Sequence, residues 1–537
     1  MPAQTPENIL ARFERLTEVG RALGRERDAT RLLEIILTSA ARLTNADGSA
    51  LYRVNEAADA LTFEIVRNET LGWGAGANLP ADIPFPPVPL YDKDGVPNRH
   101  SVVADAALSK RSTRIADAYS VAGYDFSFMR RFDAAHGYRS RSVLTVPMLD
   151  QQEELLGVLQ LINARDSEGV VVEFTGDDQR LTEALTALAG VVLEKALLIE
   201  RLETLFKSFI NLINVAIDEK SPHTSGHCQR VPELTMMLAE AAHETATGPL
   251  TEFRMTDRDR NELWMAGLLH DCGKITTPVH VVDKVTKLQT IFDRSALVEA
   301  RLEILARDAR IAALEGKGAG ESPDAVDAAL AAALRELDAD RAFVRRINIG
   351  QERVAEEDLA HVHALARRRW VDGQGAEQPL LTADEVENLT ISKGTLTSAE
   401  RNIINQHIVS TIRMLEALPW PKHLRNVPEF AGGHHERMDG RGYPRGLKRN
   451  EMSWQARMMA IADIFEALTA GDRPYKSAKA LSESLRILGT MSITGHIDPD
   501  LFDAFVRRKV YLTYAQRFLE PELIDPIDER AIPGYVP

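Results

Sequence analysis

Residues 434–444 have the sequence HHERMDGRGYP, in which two adjacent histidines and two acidic residues precede a Gly-Tyr-Pro turn. A second polar motif, HDCGK, occupies residues 270–274 and follows the apolar run WMAGLL. Because WMAGLL has the character of a buried helix, His270 and Asp271 are expected at a buried helical end. Buried aspartates are costly unless they pair or bind a cation. The two motifs therefore predict a helical domain with a metal site.

Three further stretches contribute side chains of the same kind. SPHTSGHCQRV contains His223 and His227, SAERNIINQH ends at His407, and MMAIADIFEALTAG places Asp463 inside an apolar helix. Imidazole and carboxylate groups without thiolates suit iron, manganese or another borderline divalent ion. The cysteines lack CxxC spacing, which argues against a structural zinc site.

The two motif histidines are adjacent, which bears on how many ions they bind. Adjacent residues on a helix project about 100° apart, so His434 and His435 are expected to serve two different ions. An aspartate such as Asp271 can bridge neighbouring ions, and a pair of ions can stabilise both attack and departure at phosphorus. This pattern favours a two-metal hydrolase acting on a phosphate ester.

Composition limits the classes of protein to consider. A chain of 537 residues is too long for one core and predicts two to four domains. A net charge of −15 argues against binding a nucleic-acid polymer, so positive charge for a phosphate must be local. Two cysteines, Cys228 and Cys272, suit a reducing compartment, where they act as buried fillers or as redox-sensitive thiols.

Membrane and export signals are not evident. The start, MPAQTPENILARFERL, lacks the basic-then-apolar pattern of a signal peptide, and LTALAGVVLEKALLIE is interrupted by Glu194 and Lys195. We expect a cytoplasmic protein that does not contact the membrane.

The first part of the chain alternates helix and strand signals. A helical pattern covers residues 7–45, SALYRVN and LTFEIVRN are strand-like, and RSVLTVPM and LLGVLQLIN predict a hairpin. This part resembles a GAF domain through GYRSRSVLTVPMLDQQEELLGVLQLINA and EFTGDDQRL. Cyclic-nucleotide-binding GAF domains have a signature that Asn163, Phe174 and Asp178 fit but Ala164 and Gln179 do not. The resemblance therefore implies either another ligand or a GAF domain that dimerises without one.

Between the two parts, residues 181–220 have the pattern of a long helix. Apolar residues recur with 3.5-residue spacing, at positions 181, 185, 188, 192, 199, 202, 206, 209, 213 and 216, and only Lys195 interrupts them. This spacing predicts a parallel coiled coil and hence a homodimer. The alternative is a helix that packs on its own domains.

The polar motifs together resemble the HD-GYP family of metal-dependent phosphohydrolases over residues 211–284 and 393–520. The family hydrolyses cyclic di-GMP to pGpG or GMP. The resemblance implies seven metal ligands, namely His227, His270, Asp271, His407, His434, His435 and Asp463. Lys274 and Asp271 would be catalytic, and the substrate would contact Lys274, Tyr443, Arg473 and Lys476. His223 occupies a position that resembles the third-ion ligand of some members, so two or three ions are expected.

The chain departs from the family pattern at residues 285–392, which separate VVDK from KGTLTSAE. Their composition predicts a helical insertion, with GKGAGESPD at the tip of a helical hairpin. The predicted protein is thus multidomain: an α+β GAF sensor domain over 1–180, a connecting helix over 181–220, and an all-α HD-type domain over 211–520. The insertion interrupts that domain, and 521–537 form a C-terminal tail.

Three readings of the function remain open. The first is a cyclic di-GMP phosphodiesterase regulated by its GAF domain. The second keeps this chemistry but changes the substrate, for example to 3′,3′-cyclic GMP-AMP. The third is a catalytically silent HD-GYP protein that binds a protein partner.

Overall fold

The computed structural model describes residues 17–26, 28–55, 57–76, 83–220, 226–471 and 478–537. The chain divides into two units, one up to Phe206 and one from Lys207. Within these described ranges, no helix is both long and apolar enough to span a membrane.

The N-terminal unit is built on an antiparallel sheet. Its strands are β1 (Ala46–Val54), β2 (Ala60–Asn68), β3 (Trp73–Gly76), β4 (Val88–Pro89), β5 (Thr113–Ile115), β6 (Val143–Leu149), β7 (Leu155–Arg165) and β8 (Val171–Val172). They have the order β3-β2-β1-β7-β6-β5, with β4 paired to β2 and β8 paired to β7. The expected hairpin is confirmed, since β6 and β7 pair from Val143↔Ile162 to Leu149↔Leu155.

Helices cover both faces of this sheet, which is why its central strands β1, β6 and β7 are buried at most positions. Leu51 and Leu159 face one core together with α2 (Ala29–Thr44), whereas Ala50 and Val158 face a second core. The other helices of the unit are α1 (residues 17–25), α3 (Val102–Ser109) and α4 (Ser127–His136). The α+β architecture expected of this part is confirmed.

One helix, α5 (Gly176–Lys220), runs for 45 residues and begins five residues before the expected start. An apolar stripe, whose side chains are 43–65% exposed, follows a spacing of three and four residues and contains Leu188, Val191, Leu198, Leu202, Leu205, Phe209 and Leu212. Lys195 is the one polar residue at a position of this spacing between Leu188 and Leu212. Of the predicted seam positions, Leu188, Leu202 and Phe209 lie on this stripe, and Ile199 is 49% exposed. Leu185 is buried, and Val192, Phe206 and Ile213 are half-buried. The match is partial because α5 also buries Leu185, Ala189 and Leu193 in the sheet's core, which fixes the rotation of the helix there.

The C-terminal unit is helical. Its main helices are α6 (His227–His243), α7 (Asp257–Leu269), α8 (Val279–Val282), α13 (Ser398–Glu416), α14 (Val427–Gly432), α15 (Trp454–Thr469), α16 (Leu481–Ile493), α17 (Pro499–Arg507) and α18 (Val510–Phe518). The segment expected to be a tail packs on this unit, because Ile532 and Tyr535 are buried and Pro533 O lies where a Cβ on Gly489 would be.

The insertion forms the predicted helical hairpin, followed by smaller elements. These elements are α9 (Ser295–Gly318), α10 (Pro323–Asn348), α11 (Glu356–Arg367), β9 (Arg369–Val371), β10 (Glu377–Pro379) and α12 (Ala383–Leu389). The two-stranded β9–β10 sheet was not predicted. The insertion has its own apolar core, which contains Leu302, Val344 and Leu389.

Two buried lysines fix the base of the insertion. The Lys284 ammonium donates to Asn388 Oδ1 at 2.7 Å and to both carboxylate oxygens of Glu400 at 2.8 Å. The Lys287 ammonium donates to Leu389 O at 3.2 Å. The Lys284–Glu400 bonds join residues before and after the insertion, and the other two bonds join residues near its two ends, so these ends are held next to each other.

Candidate metal centre

Five helices of the C-terminal unit place the predicted ligands together. His227 is the first residue of α6, and His270 and Asp271 follow the end of α7. His407 lies within α13 and Asp463 within α15. All of these side chains are buried except that of Asp463, which is 15% exposed. The helix positions expected for His270, Asp271 and Asp463 are thus confirmed.

His434 and His435 lie in a turn just after α14 and not within a helix. The expectation that they serve two different ions assumed helical geometry, so that premise was wrong. Their ring nitrogens fall into one group with that of His407, in which the ligand atoms lie within 4.8 Å of one another. A second such group contains His227, His270 and Asp271.

Asp271 connects the two groups. Its Oδ2 lies 3.2 Å from Nε2 of His227 and 3.2 Å from Nε2 of His270, whereas its Oδ1 lies 3.2 Å from Nε2 of His407. One carboxylate oxygen therefore faces each group. This is the arrangement that a bridging aspartate requires.

The imidazole rings of three histidines are oriented by hydrogen bonds from Nδ1 to backbone carbonyls. Nδ1 of His270 donates to Gly267 O at 2.7 Å, that of His407 to Ile404 O at 2.6 Å, and that of His434 to Ala431 O at 2.6 Å. Because a carbonyl only accepts, each Nδ1 carries a proton, and in a neutral imidazole Nε2 then exposes a lone pair. Metal-binding histidines are oriented in the same way.

The Nε2 atoms of several of these histidines lie close to each other. Nε2 of His407 lies 3.2 Å from Nε2 of His435, and Nε2 of His270 lies 3.3 Å from Nε2 of His227. The buried Nε2 of His434 has no hydrogen-bond partner in the described part of the chain. Such an arrangement is unfavourable unless a cation is shared. The residues therefore fit divalent metal ions.

A carboxylate that the sequence analysis did not identify supports His227. Glu466 Oε2 lies 2.5 Å from Nδ1 of His227, and Glu466 Oε1 accepts a hydrogen bond from Arg230 Nε at 2.8 Å. Glu466 lies on α15, three residues after Asp463, and thus on the same side of the helix. This three-residue spacing from Asp463 is the sequence feature that could have identified Glu466.

The charges of the site support a cation at its centre. Burial acts to lower the pKa of His227, but Glu466, Asp271 and Asp463 outweigh it and raise the pKa well above its usual value. These carboxylates thus stabilise positive charge at the position where a metal ion would bind. Burial lowers the pKa of His435 to about 4, so its imidazole is neutral and can donate a lone pair at neutral pH.

Lys274 lies in the 3₁₀ helix Cys272–Thr276, directly after Asp271. Its ammonium is 2.6 Å from Asp271 Oδ2. Burial acts to raise the pKa of Asp271, but Lys274 and His270 outweigh it and hold the pKa well below its usual value. Asp271 is therefore ionised at neutral pH, as a ligand must be.

Gly273 explains why the HDCGK motif needs a glycine. A Cβ at this position would lie 2.0 Å from His407 O and 2.5 Å from Thr411 N. The Gly273 amide also donates to Thr411 Oγ1 at 2.9 Å. The motif can therefore pack directly on the backbone of α13, which brings Asp271 to His407.

The Gly-Tyr-Pro turn forms a wall of the site. The ring of Tyr443 stacks on that of His435, with centroids 4.9 Å apart. Glu436, which is buried and was assigned no role from the sequence, accepts the amides of Arg445 at 2.7 Å and Leu447 at 2.9 Å. These bonds hold the turn against the histidine pair.

Both cysteines next to the ligands are buried and free. Burial raises the pKa of Cys228 to about 11 and that of Cys272 to about 12. Neither is a thiolate at neutral pH, and the thiolate is the reactive form. Of the two expectations, the structure favours buried fillers over redox-sensitive thiols.

Three predicted site residues lie outside the described residues, namely His223, Arg473 and Lys476. The structure brings the seven predicted metal ligands together with Lys274 and Tyr443. That they bind metal stays a prediction.

Comparison with protein families identifies the two parts of the chain. A GAF domain model matches residues 28–193, and two HD domain models match residues 224–338 and 382–501. The chain therefore carries a GAF domain followed by an HD domain, as the sequence predicted.

Several curated proteins resemble short stretches of the chain. A 3′3′-cGAMP-specific phosphodiesterase of Vibrio cholerae is 46% identical over 81 residues, 15% of this chain and 19% of the relative. A cyclic di-GMP phosphodiesterase of Pseudomonas aeruginosa is 39% identical over 114 residues, 21% and 26% of the two chains. Another, of Thermotoga maritima, is 36% identical over 132 residues, 24% and 35% of the two chains. The matches thus span about a fifth to a third of these relatives.

Among solved structures, the GAF domain of an Acinetobacter phosphoenolpyruvate-protein phosphotransferase is 12% identical, covers 36% of this chain and 98% of its own, and has a TM-score of 0.27.

Proposed function

We propose that the protein is a metal-dependent phosphodiesterase that hydrolyses cyclic di-GMP to pGpG, to GMP or to both. The observation that supports this most directly is the position of Asp271 between two groups of inward-facing histidines. Sequence similarity to relatives named as cyclic di-GMP phosphodiesterases also supports the proposal.

The ligands would be His227, His270, Asp271, His407, His434, His435 and Asp463. Their nitrogen and oxygen donors suit iron or manganese. When bound, two such ions would activate water and neutralise charge on the phosphodiester. If His223 is also a ligand, a third ion would favour cleavage beyond pGpG to GMP.

The remaining residues would act on the substrate itself. The Lys274 ammonium, next to Asp271, supplies positive charge where the scissile phosphate would lie. The Tyr443 ring forms an apolar wall beside His435 on which a guanine base can stack. Arg473 and Lys476 would hold the phosphates, which a chain of net charge −15 attracts only through local cations.

A second substrate, 3′3′-cGAMP, is the alternative. It is favoured by the 46% identity to a relative named for that substrate. The two dinucleotides differ in one base, so the phosphate chemistry of the site does not distinguish them. A catalytically silent protein is the less favoured alternative, because the buried ligand set is complete.

We further propose that the GAF domain regulates this activity through a homodimer formed by α5. The apolar stripe of α5 consists of large side chains in heptad spacing, which is the pattern of a coiled-coil seam. Lys195 interrupts the stripe, and a polar residue in a seam specifies register at some cost in stability. The GAF domain, to about residue 180, would be the sensor, and 211–520 the hydrolase domain around insertion 285–392.

One experiment tests the central proposal. The purified protein is analysed for bound metals and incubated with cyclic di-GMP and, separately, 3′3′-cGAMP, and products are separated by chromatography. We expect two or three ions per chain and faster turnover of cyclic di-GMP. Faster turnover of 3′3′-cGAMP would support the alternative, and metal binding without hydrolysis of either would support the silent protein.

A further inference from the structure

The last residue of α5 contacts the segment that carries Lys274. The Lys220 ammonium donates to the carbonyl oxygen of Lys274 at 3.2 Å and also to that of Ile275. Both carbonyls belong to the 3₁₀ helix Cys272–Thr276, which follows Asp271 directly. A lysine with three donors and no acceptor is suited to hold two carbonyls at once.

The same 3₁₀ helix is held by α13 through different bonds. The Gly273 amide donates to Thr411 Oγ1 at 2.9 Å, and Thr276 Oγ1 donates to Ser410 Oγ at 3.0 Å. The segment therefore has two supports. The support from α13 also carries the predicted ligand His407, whereas α5 supports the segment through the Lys220 side chain.

The position of Lys274 depends on this backbone. Its ammonium lies 2.6 Å from Asp271 Oδ2, the oxygen that faces His227 and His270. Small displacements of reacting groups are costly, and a misplacement of about 1 Å can lower a rate by about 100-fold. A movement of α5 that pulled on the carbonyl of Lys274 would therefore change catalysis without removing a ligand.

We propose that Lys220 is a positioning residue for Lys274 and the contact through which α5 acts on the metal centre. The proposal rests on the phosphodiesterase function proposed above. Lys220 would act through the backbone of Lys274 and Ile275, to whose carbonyl oxygens its ammonium donates. An axial shift or a rotation of α5 would lengthen or shorten this contact.

The test uses the full-length, metal-loaded protein and three variants. Lys220→Met removes the donor, Lys220→Arg keeps one, and Lys207→Met is the matched control, since Lys207 is exposed on the same helix. We expect Lys220→Met to lower kcat about tenfold with unchanged metal content. Lys220→Arg should restore most of the loss, and Lys207→Met should behave as wild type.

A second measurement tests the coupling. One residue inserted after Glu200 rotates the following part of α5 by about 100° and should change kcat of the wild type. In the Lys220→Met background the same insertion should have little further effect. An unchanged kcat in Lys220→Met, loss of metal from that variant, or an undiminished effect of the insertion would each overturn the proposal.

Hydrogen–deuterium exchange separates this proposal from the proposed function. Amides of residues 272–277 should exchange faster in Lys220→Met than in wild type, and Lys220→Arg should restore the wild-type rate. If the wild type hydrolyses neither dinucleotide, the proposed function fails, and the exchange rates alone then test the contact between Lys220 and residues 274–275. Unchanged exchange in that case would overturn the role of Lys220.

Discussion

Glu466 Oε2 lies 2.5 Å from Nδ1 of His227, and both side chains are buried. The carboxylate accepts the Nδ1 proton, so Nε2 is the nitrogen that faces Asp271 and Asp463. Among the histidines of the site, His227 is thus oriented by a charged group, whereas His270, His407 and His434 are oriented by backbone carbonyls.

Because Glu466 orients a ligand, Glu466→Gln should weaken metal binding by about 10–100-fold without unfolding the protein. Metal content after dialysis against a graded series of chelator measures this directly. Glu416→Gln, at an exposed position on α13, serves as the control. Equal metal retention in the two variants would show that His227 does not need the carboxylate.

Removing the Asp271 carboxylate should affect both groups of histidines at once. In Asp271→Ala we expect loss of both ions and of hydrolysis, with the GAF domain still folded. Metal analysis and circular dichroism check the two parts of this outcome. A variant that keeps two ions and turns over substrate would contradict the bridging role.

The apolar stripe of α5 should hold a dimer together. Leu202→Glu combined with Leu205→Glu places like charges in the seam and should give a monomer in analytical ultracentrifugation. Lys207→Glu adds a charge outside the stripe and should leave the dimer intact. A dimer that survives the double substitution would indicate that α5 packs only on its own chain.

Because Lys287 is buried, we expect the free energy of unfolding to depend on pH in a way that does not involve the metal centre. It is fully buried, and burial lowers its pKa to about 8 although Asp358 acts to raise it. Below about pH 8 the folded protein carries the full cost of this buried charge. Between pH 8 and the unfolded pKa of about 10.4 the folded state releases its proton first, so stability rises with pH.

Lys287→Met should therefore stabilise the C-terminal unit by about 2 kcal/mol at pH 7, after allowing for the lost bond to Leu389 O. Denaturant unfolding at pH 7 and pH 9.5 should show that this advantage shrinks at the higher pH. Lys393→Met, at an exposed position, should show neither effect. An advantage independent of pH would mean that Lys287 is not charged in the fold.

The sequence predicted the elements with strong local signals. The β6–β7 hairpin, the α9–α10 hairpin and the helix that carries Asp463 have clear periodicity or turn residues, and all three are present. The helices α3 and α4 were missed because they are short. The predicted α5 seam matches the exposed stripe in part, at Leu188, Leu202 and Phe209, because the sheet's core and the stripe use adjacent positions of the same helix.

The candidate site was predicted better in its composition than in its geometry. Polar residues at apolar positions marked His270, Asp271 and Asp463 in the sequence. The spacing from Asp463 marks the position of Glu466 but not its partner, His227, which is 239 residues away. The role of Glu436 depends on how the following turn folds back on its carboxylate. The turn at His434 and His435 likewise depends on where α14 ends.

The base of the insertion makes the HD region a modular scaffold. Thr395 Oγ1 donates to Lys284 O at 2.9 Å, so the polypeptide leaves and rejoins the scaffold at one point. A segment with adjacent ends can lengthen, shorten or be exchanged without displacing the residues on either side. Replacing it with a short linker or a fluorescent protein would therefore preserve the path of the chain between HDCGK and α13, which makes this junction a natural place to build a reporter.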